Sequence, residues 1–353
     1  MLYVNESIKN TIRVLPAPGR YDYYRYDMNE NPEGLPKEFV DAVLKEITPE
    51  FLATYPEPNA FLNAYAKFIG VSYENVLATN GSDMAIRYIL ETFGEKGKNV
   101  VTVAPSFEMY GVNCQILGLI HKPVSYESDM TIRIDKIIEA INSDTRIVVL
   151  LNPNNPIGNT YTKEELEQVL KQADKAGAIV IIDEAYHYFY DQTFLSYALE
   201  RQNVIVLRTF SKLFSLAACR LGVIISHPDV IRYVQNAKLT FDVNSIALLM
   251  GTRILEQPLM IENLIAQEKE GKAFTLKSLN QYGYETRDCK GNFIFIKTNK
   301  SPQAVQQELK ERYKILVKTY GPGLLESYLR LSIGSIHAMK IFLKAFYSVD
   351  SKN

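Results

Sequence analysis

Residues 178–189 read AIVIIDEAYHYF, and the fold turns on them. The run is apolar without interruption as far as Asp183 and rich in β-branched residues, the pattern of a strand covered on both faces rather than one with a wet side. It stops at Asp183, with Tyr186 about one helical turn further on. A carboxylate at the end of a buried strand is costly unless a cation or good hydrogen bonds answer it. Outward from this stretch the same texture recurs in NVVTV (99–103), RIVVLL (146–151), VIVLR (204–208) and GVIIS (222–226). Between these runs, DMAIRYILETFG (83–94) and KEELEQVLKQADKAG (163–177) repeat apolar positions at helical spacing and end in glycine. The expectation is an α/β protein whose large domain carries a mostly parallel sheet. Beyond about residue 250 a long helical segment precedes FIFIK (293–297), ILVK (315–318) and YLRLSI (328–333), which predict a smaller α+β domain. The chain divides on this reading into an N-terminal arm (1–30), packed on the small domain or a partner subunit, a large domain (31–250) and a small domain (251–353).

Composition narrows the function. A chain of 353 residues, 47% hydrophobic, can bury a large core, and its net charge of −1 lacks the electrostatic footprint of a nucleic-acid binder. The arginines and tyrosines interleaved in TIRVLPAPGRYDYYRYD (11–27) are a local feature. The start, MLYVNESIKN, has no signal-peptide pattern and no apolar run reaches membrane-spanning length, so a cytoplasmic protein without membrane or nucleic-acid partners is expected. Cys114, Cys219 and Cys289 share no CxxC spacing and read as reduced packing thiols; no metal site is expected.

In an open α/β sheet the ligand lies beyond the carboxyl ends of the strands. Four such ends are informative. After NVLAT (75–79) come Gly81, Ser82 and Asp83 at a helix start, where free N–H groups and the helix dipole favour an anion. After RIVVLL comes NPNNPIGNT (152–160), which sets Asn155 at the strand end. Asp183 and Tyr186 follow the third run, and TFSK (209–212) the fourth, with Arg220 two helical turns beyond Lys212. Each residue alone has a plain structural reading, as a cap, a turn or a solvated charge. IVIIDEAY also resembles the Walker B strand of an ATPase, but GxxxxGK[ST] is absent, as is the GxGxxG of a dinucleotide-binding fold. Lysine, aspartate and an arginine beside a helix N-terminus together suit a planar cofactor that carries an aldehyde, a cationic ring nitrogen and a phosphate. Pyridoxal 5'-phosphate asks for all three.

From MNENPEGLP (28–36) to YLRLSIGS (328–335) the order and spacing of motifs resemble the fold-type I pyridoxal-phosphate aminotransferases, and within them the histidinol-phosphate aminotransferases. The resemblance implies that Lys212, in SKxxxLAxxRxG, is the Schiff-base lysine and later moves the proton. It implies that Arg220, Thr209, Ser211, Gly81, Ser82 and Asp83 bind the cofactor phosphate. Asp183 would pair with the ring nitrogen, Asn155 and Tyr186 with the phenolic oxygen, and Phe107 of APSFEMYG would stack on the ring. Tyr55 of ATYPEP would reach into a neighbouring subunit, which implies a homodimer with shared active sites. Arg330 would grip the substrate's anionic group, with Asn31 and Lys318 also at the substrate. The partners implied are a small-molecule amino donor and a keto acceptor.

Three places depart from the family's substrate pattern. The arm reads VLPAPGR (14–20) without the tyrosine that follows the proline, Lys318 stands where an arginine is common, and TFDVN (240–244) brings Asp242 towards the expected far end of the substrate. Three functions fit this pattern. One is an aminotransferase working between glutamate and histidinol phosphate or a related phosphorylated or aromatic amino compound. The others are a threonine-phosphate-type decarboxylase and a non-catalytic pyridoxal-phosphate-binding or scaffolding protein.

Overall fold

The computed structural model describes residues 2–11 and 18–351; the first part of the arm motif, 14–17, lies outside them. Its strands are β1 (Tyr24–Tyr26), β2 (Val76–Asn80), β3 (Asn99–Ala104), β4 (Ile120–Ser125), β5 (Thr145–Leu151), β6 (Ile179–Asp183), β7 (Val204–Thr209), β8 (Leu221–Ser226), β9 (Thr286–Asp288), β10 (Phe293–Lys297), β11 (Ile315–Val317) and β12 (Tyr328–Ser332). Seven of them form one sheet in the order β2-β8-β7-β6-β5-β3-β4. Only β8 runs antiparallel to its neighbours, so the sheet is mixed but mostly parallel.

The unbroken apolar runs have the expected cause. Val180, Ile182, Val204 and Val206 face one core, while Ile181, Ile205 and Leu207 face another on the opposite side of the same strands. Both faces are therefore dry, and no polar alternation is tolerated. Strand β4 has no such signature: IHKPVS is mostly exposed, and its Pro123 sits at the sheet edge, where a missing N–H costs nothing.

A third core gathers β10, β11 and β12 with the helix Ile336–Asp350. Here β10 pairs antiparallel with β9 and β12, whereas β1 pairs parallel with β11. The Tyr26 hydroxyl donates to the Ala338 carbonyl at 2.8 Å, which fastens β1 to that third core. The helix Pro258–Gln281 begins in the first core with Ile261 and Leu264 and ends in the third with Leu279. Midway, a Cβ on Gly271 would lie 1.9 Å from the Gly334 carbonyl oxygen. Alanine is the better helix former by about 1 kcal/mol, but overpacking costs ~1–3 kcal/mol. Gly271→Ala is therefore expected to lower the denaturation midpoint, and a rise in a urea melt would show that the two elements part readily.

Parallel β3, β5, β6 and β7 all end on one edge of the sheet, and β2 ends on the same edge because it is antiparallel to β8. The predicted motifs are thereby brought together from more than a hundred residues of chain.

Candidate active site

Asp183 and Glu184 follow one another at the end of β6, and the fold treats them oppositely. Glu184 is fully buried and answered by a cation: Arg208 of β7 donates to its Oε2 from Nε at 3.0 Å and from Nη2 at 2.9 Å. Thr193 and the Phe194 N–H complete its shell. His187 packs beside this pair, and burial pushes its imidazole down to about 4, so it stays neutral. Asp183 has no cation among the described residues. Its Oδ2 accepts from the Tyr110 hydroxyl at 2.9 Å and its Oδ1 from the Ala185 N–H at 3.1 Å. Burial raises its carboxyl to about 6, chiefly by desolvation. A buried carboxylate left without a counter-charge suits a ligand that supplies one.

Lys212 lies in the turn after β7. Its Nζ donates to the Met28 carbonyl at 2.8 Å and stands 5.9 Å from the centre of the Tyr186 ring. Burial, and then the Arg330 cation, push this lysine down to about 8. A lysine with that value offers a usable fraction of free amine near neutral pH.

An anion cradle lies beside it. Gly81 opens the helix Gly81–Phe93 at φ +71°, and Asn80, which precedes it, provides no side-chain cap, so the first-turn N–H groups lack the usual side-chain acceptor. A Cβ at Gly81 would come within 2.5 Å of Arg220 Nη2, and one at Gly222 within 2.7 Å of the Ser82 nitrogen. The two glycines thus hold Arg220 and the helix start together. Arg220, itself at φ +56°, donates to Asp83 Oδ2 at 3.0 Å and to Ser211 Oγ at 3.4 Å, while Thr209 Oγ1 accepts from the Ser211 N–H. Asp83 orients the guanidinium, and the uncapped N–H groups with Arg220 make a site suited to an anion such as a phosphate. Phe107 packs at the margin of the second core.

Arg330 of β12 is buried, and its guanidinium is held from two sides. Nη1 donates to Asn155 Oδ1 and Nη2 to the Asp27 carbonyl, each at 2.6 Å, leaving Nε with no partner. The Tyr320 hydroxyl, also buried and unpartnered, faces the same guanidinium. Lys318 bridges to Arg330 through the backbone, and its Nζ lies 5.9 Å from the Tyr320 ring centre. Asn31 donates to Ser215 Oγ at 2.8 Å and to the Gly34 carbonyl at 3.2 Å, and it shares the lining of a small cavity with Lys212.

Two expected residues stand apart from this cluster. Tyr55 is 73% exposed and stacks on the exposed Phe241 with ring centres 4.5 Å apart. Asp242, expected near the far end of a substrate, is instead tied to the Tyr88 hydroxyl at 3.0 Å and ion-paired with Lys238. Lys238, four residues earlier, answers its charge locally, and Asn80 accepts the task of holding its backbone carbonyl.

Several neighbours were not foreseen from sequence. Tyr110 follows Phe107 at one helical turn, a spacing that could have flagged it, but nothing local marks it as the partner of Asp183. The contacts of Asp27, Met28 and Asn29, unlike the expected Asn31, were unmarked, and they join an N-terminal segment to residues that follow much later in the chain.

Residues 24–346 match the family described as "Aminotransferase class I and II". A histidinol-phosphate aminotransferase of Clostridium kluyveri is 33% identical over 324 residues, 90% of either chain. Among solved structures, histidinol-phosphate aminotransferase from Sinorhizobium meliloti in complex with pyridoxal-5'-phosphate superposes with a TM-score of 0.87 at 20% identity, covering 98% of this chain and 97% of that one. L-threonine-O-3-phosphate decarboxylase from Porphyromonas gingivalis shares the fold at a TM-score of 0.76 and 22% identity, covering 92% and 98%.

Proposed function

The chain belongs to the class I and II aminotransferases, and from that premise we propose that it passes an amino group between glutamate and histidinol phosphate or a closely related phosphorylated or aromatic amino compound, using pyridoxal 5'-phosphate. The observation that carries this reading is a lysine of depressed basicity, Lys212, at the same sheet edge as an unanswered buried carboxylate, Asp183, and near the buried guanidinium of Arg330, whose Nε has no partner. The likeness to histidinol-phosphate aminotransferases over nine-tenths of the chain supports the substrate class. No observation favours the decarboxylase or the silent scaffold over it.

The residues fit the cofactor group by group. The unanswered carboxylate of Asp183 would meet the cationic ring nitrogen, the cradle of Arg220, Ser82, Thr209 and Ser211 the phosphate, and Phe107 the ring face. Bound there, pyridoxal 5'-phosphate supplies an aldehyde for the amino group and a conjugated sink for the electrons of the broken C–H bond. Lys212 accepts the proton from the substrate carbon as a free amine and returns it from its ammonium form. Arg330 holds the substrate carboxylate, oriented by Asn155 and the Asp27 carbonyl. Lys318 offers a point charge to the anionic end of the second substrate, without the planar fork of an arginine. Asn31 steadies the loop around Ser215 at the substrate side.

The exposed Tyr55–Phe241 pair supports a homodimer in which Tyr55 of one subunit completes the phosphate site of the other. We assign residues 31–250 to the large domain, 251–353 to the small one and 1–30 to an arm against it. A role in cytoplasmic amino-acid biosynthesis belongs to the same reading; separately, among the described residues no helix is long and apolar enough to cross a membrane.

The test is the near-visible spectrum of the purified protein with pyridoxal 5'-phosphate, before and after glutamate. The visible band is expected to give way to an ultraviolet one on adding glutamate and to return with 2-oxoglutarate. Histidinol phosphate should produce the same conversion. Release of carbon dioxide without a keto acid would establish the decarboxylase instead.

A further inference from the structure

Asn29 sits in a backbone conformation that favours glycine, φ +55°, and is fully buried. A non-glycine residue there is costly, although asparagine tolerates it better than most. Every polar atom it has is used. Its N–H donates to Ser332 Oγ at 2.8 Å, and its carbonyl accepts from Asn292 Nδ2 at 3.1 Å. Its Oδ1 accepts from Ser332 Oγ at 3.0 Å, and its Nδ2 donates to the Tyr186 hydroxyl oxygen at 2.9 Å.

This arrangement has one consistent sense. The Ser332 hydroxyl accepts the Asn29 N–H and is fully buried, and among the described residues its own proton has no acceptor other than Asn29 Oδ1, so the amide stands with Oδ1 towards Ser332 and Nδ2 towards Tyr186. The amide then occupies a lone pair of the Tyr186 oxygen and drives that hydroxyl's proton away from Asn29. Among the described residues no group accepts it, so the proton is left for whatever lies in the site.

We propose that Asn29 is a positioning residue that acts through Tyr186, fixing the Tyr186 O–H as a donor to the phenolic oxygen of the bound cofactor and so setting the protonation of the cofactor's link to Lys212. This rests on the pyridoxal-phosphate reading above. Besides Asn29, the groups facing Tyr186 are Lys212, Arg330, Asp183 and Tyr320, and none of them is altered by the test.

A hydrogen bond to the phenolic oxygen stabilises the form in which that oxygen carries an unshared negative charge, and this lowers the pH at which the visible band titrates. In the reconstituted enzyme, Asn29→Asp and Asn29→Gly should each move that midpoint upward, by about half a unit to one unit for the loss of one oriented hydrogen bond. Aspartate keeps the acceptor for Ser332 but takes the Tyr186 proton itself; glycine removes the side chain and keeps the left-handed backbone. In a Tyr186→Phe background Asn29→Gly, which adds no charge, should leave the midpoint where Tyr186→Phe alone sets it, and that variant decides the comparison. An unmoved midpoint in both single variants, or an equal shift with and without the Tyr186 hydroxyl, overturns the proposal. A parent protein that shows no visible band with pyridoxal 5'-phosphate overturns the functional reading, which separates that failure from this one.

Discussion

Lys212→Ala is expected to lower turnover by a factor of about 10⁴ or more, because it removes both the amine that bonds the cofactor and the group that moves the proton. Binding should survive in part, since the Arg220 cradle and Asp183 are untouched and lie on different strand ends. Equilibrium dialysis with pyridoxal 5'-phosphate should therefore show retained, reversible binding while turnover disappears; near-normal turnover would refute the assignment. The depressed basicity of this lysine carries a second expectation. Burial and Arg330 disfavour its ammonium form, so the free amine dominates above about pH 8 rather than above 10.5. Capture of the cofactor's aldehyde by the apoprotein, followed by absorbance, should accelerate with pH and level off beyond that value. A midpoint near 10 would show that Lys212 is not enclosed as described.

Asp183→Asn should separate stability from activity. In the folded apoprotein burial raises this carboxyl from 3.8 to about 6. The native state thus holds its proton more tightly than the unfolded chain does. The contribution is favourable below pH 4 and is lost as pH rises through about 6, leaving an ionised buried carboxylate. At 1.36 kcal/mol per pH unit, that cost at pH 8 is roughly 3 kcal/mol. Asparagine removes the charge, so the variant apoprotein should be more stable than the parent at pH 8, by up to that amount, with the difference vanishing near pH 4. One of the two donors aimed at Asp183 then faces an amide hydrogen, which offsets part of the gain. Activity should move the other way. With no counter-charge to keep the ring nitrogen protonated, turnover should fall by about 10²–10³, the scale of losing one preorganised electrostatic contact. Thermal melts across pH, set beside glutamate turnover, check both parts. A variant that is less stable at pH 8 and fully active would sink the role given to Asp183.

The legible parts of the sequence were those in which one residue type at one position has a local reason. Continuous apolar runs gave the central strands because both faces of β5, β6 and β7 are dry. Gly81 stood in the sequence at the start of an anion-binding turn, and it does abut Arg220, while the close approach of Gly222 to the helix start appears only in the structure. Strand β4 was illegible because an exposed edge tolerates histidine, lysine and proline. Asp242 was set towards the substrate by the departure of TFDVN from the family's segment, but its buried charge is answered by Lys238 four residues earlier.

By itself the sequence determined which polar residues stand at the strand ends, since the residue after a buried strand must emerge at the sheet edge whatever the rest of the chain does. Only the tertiary structure decided what each of those residues is free to do. Asp183 and Glu184 are neighbours of the same charge, and nothing local distinguishes them. Strand alternation turns Glu184 towards Arg208 and leaves Asp183 facing Tyr110 without a cation. Likewise the segment 27–31 reaches Arg330, Lys212, Tyr186 and Ser215 only after the chain has closed over between 157 and 303 residues. Such contacts depend on long-range geometry, and no local pattern encodes them.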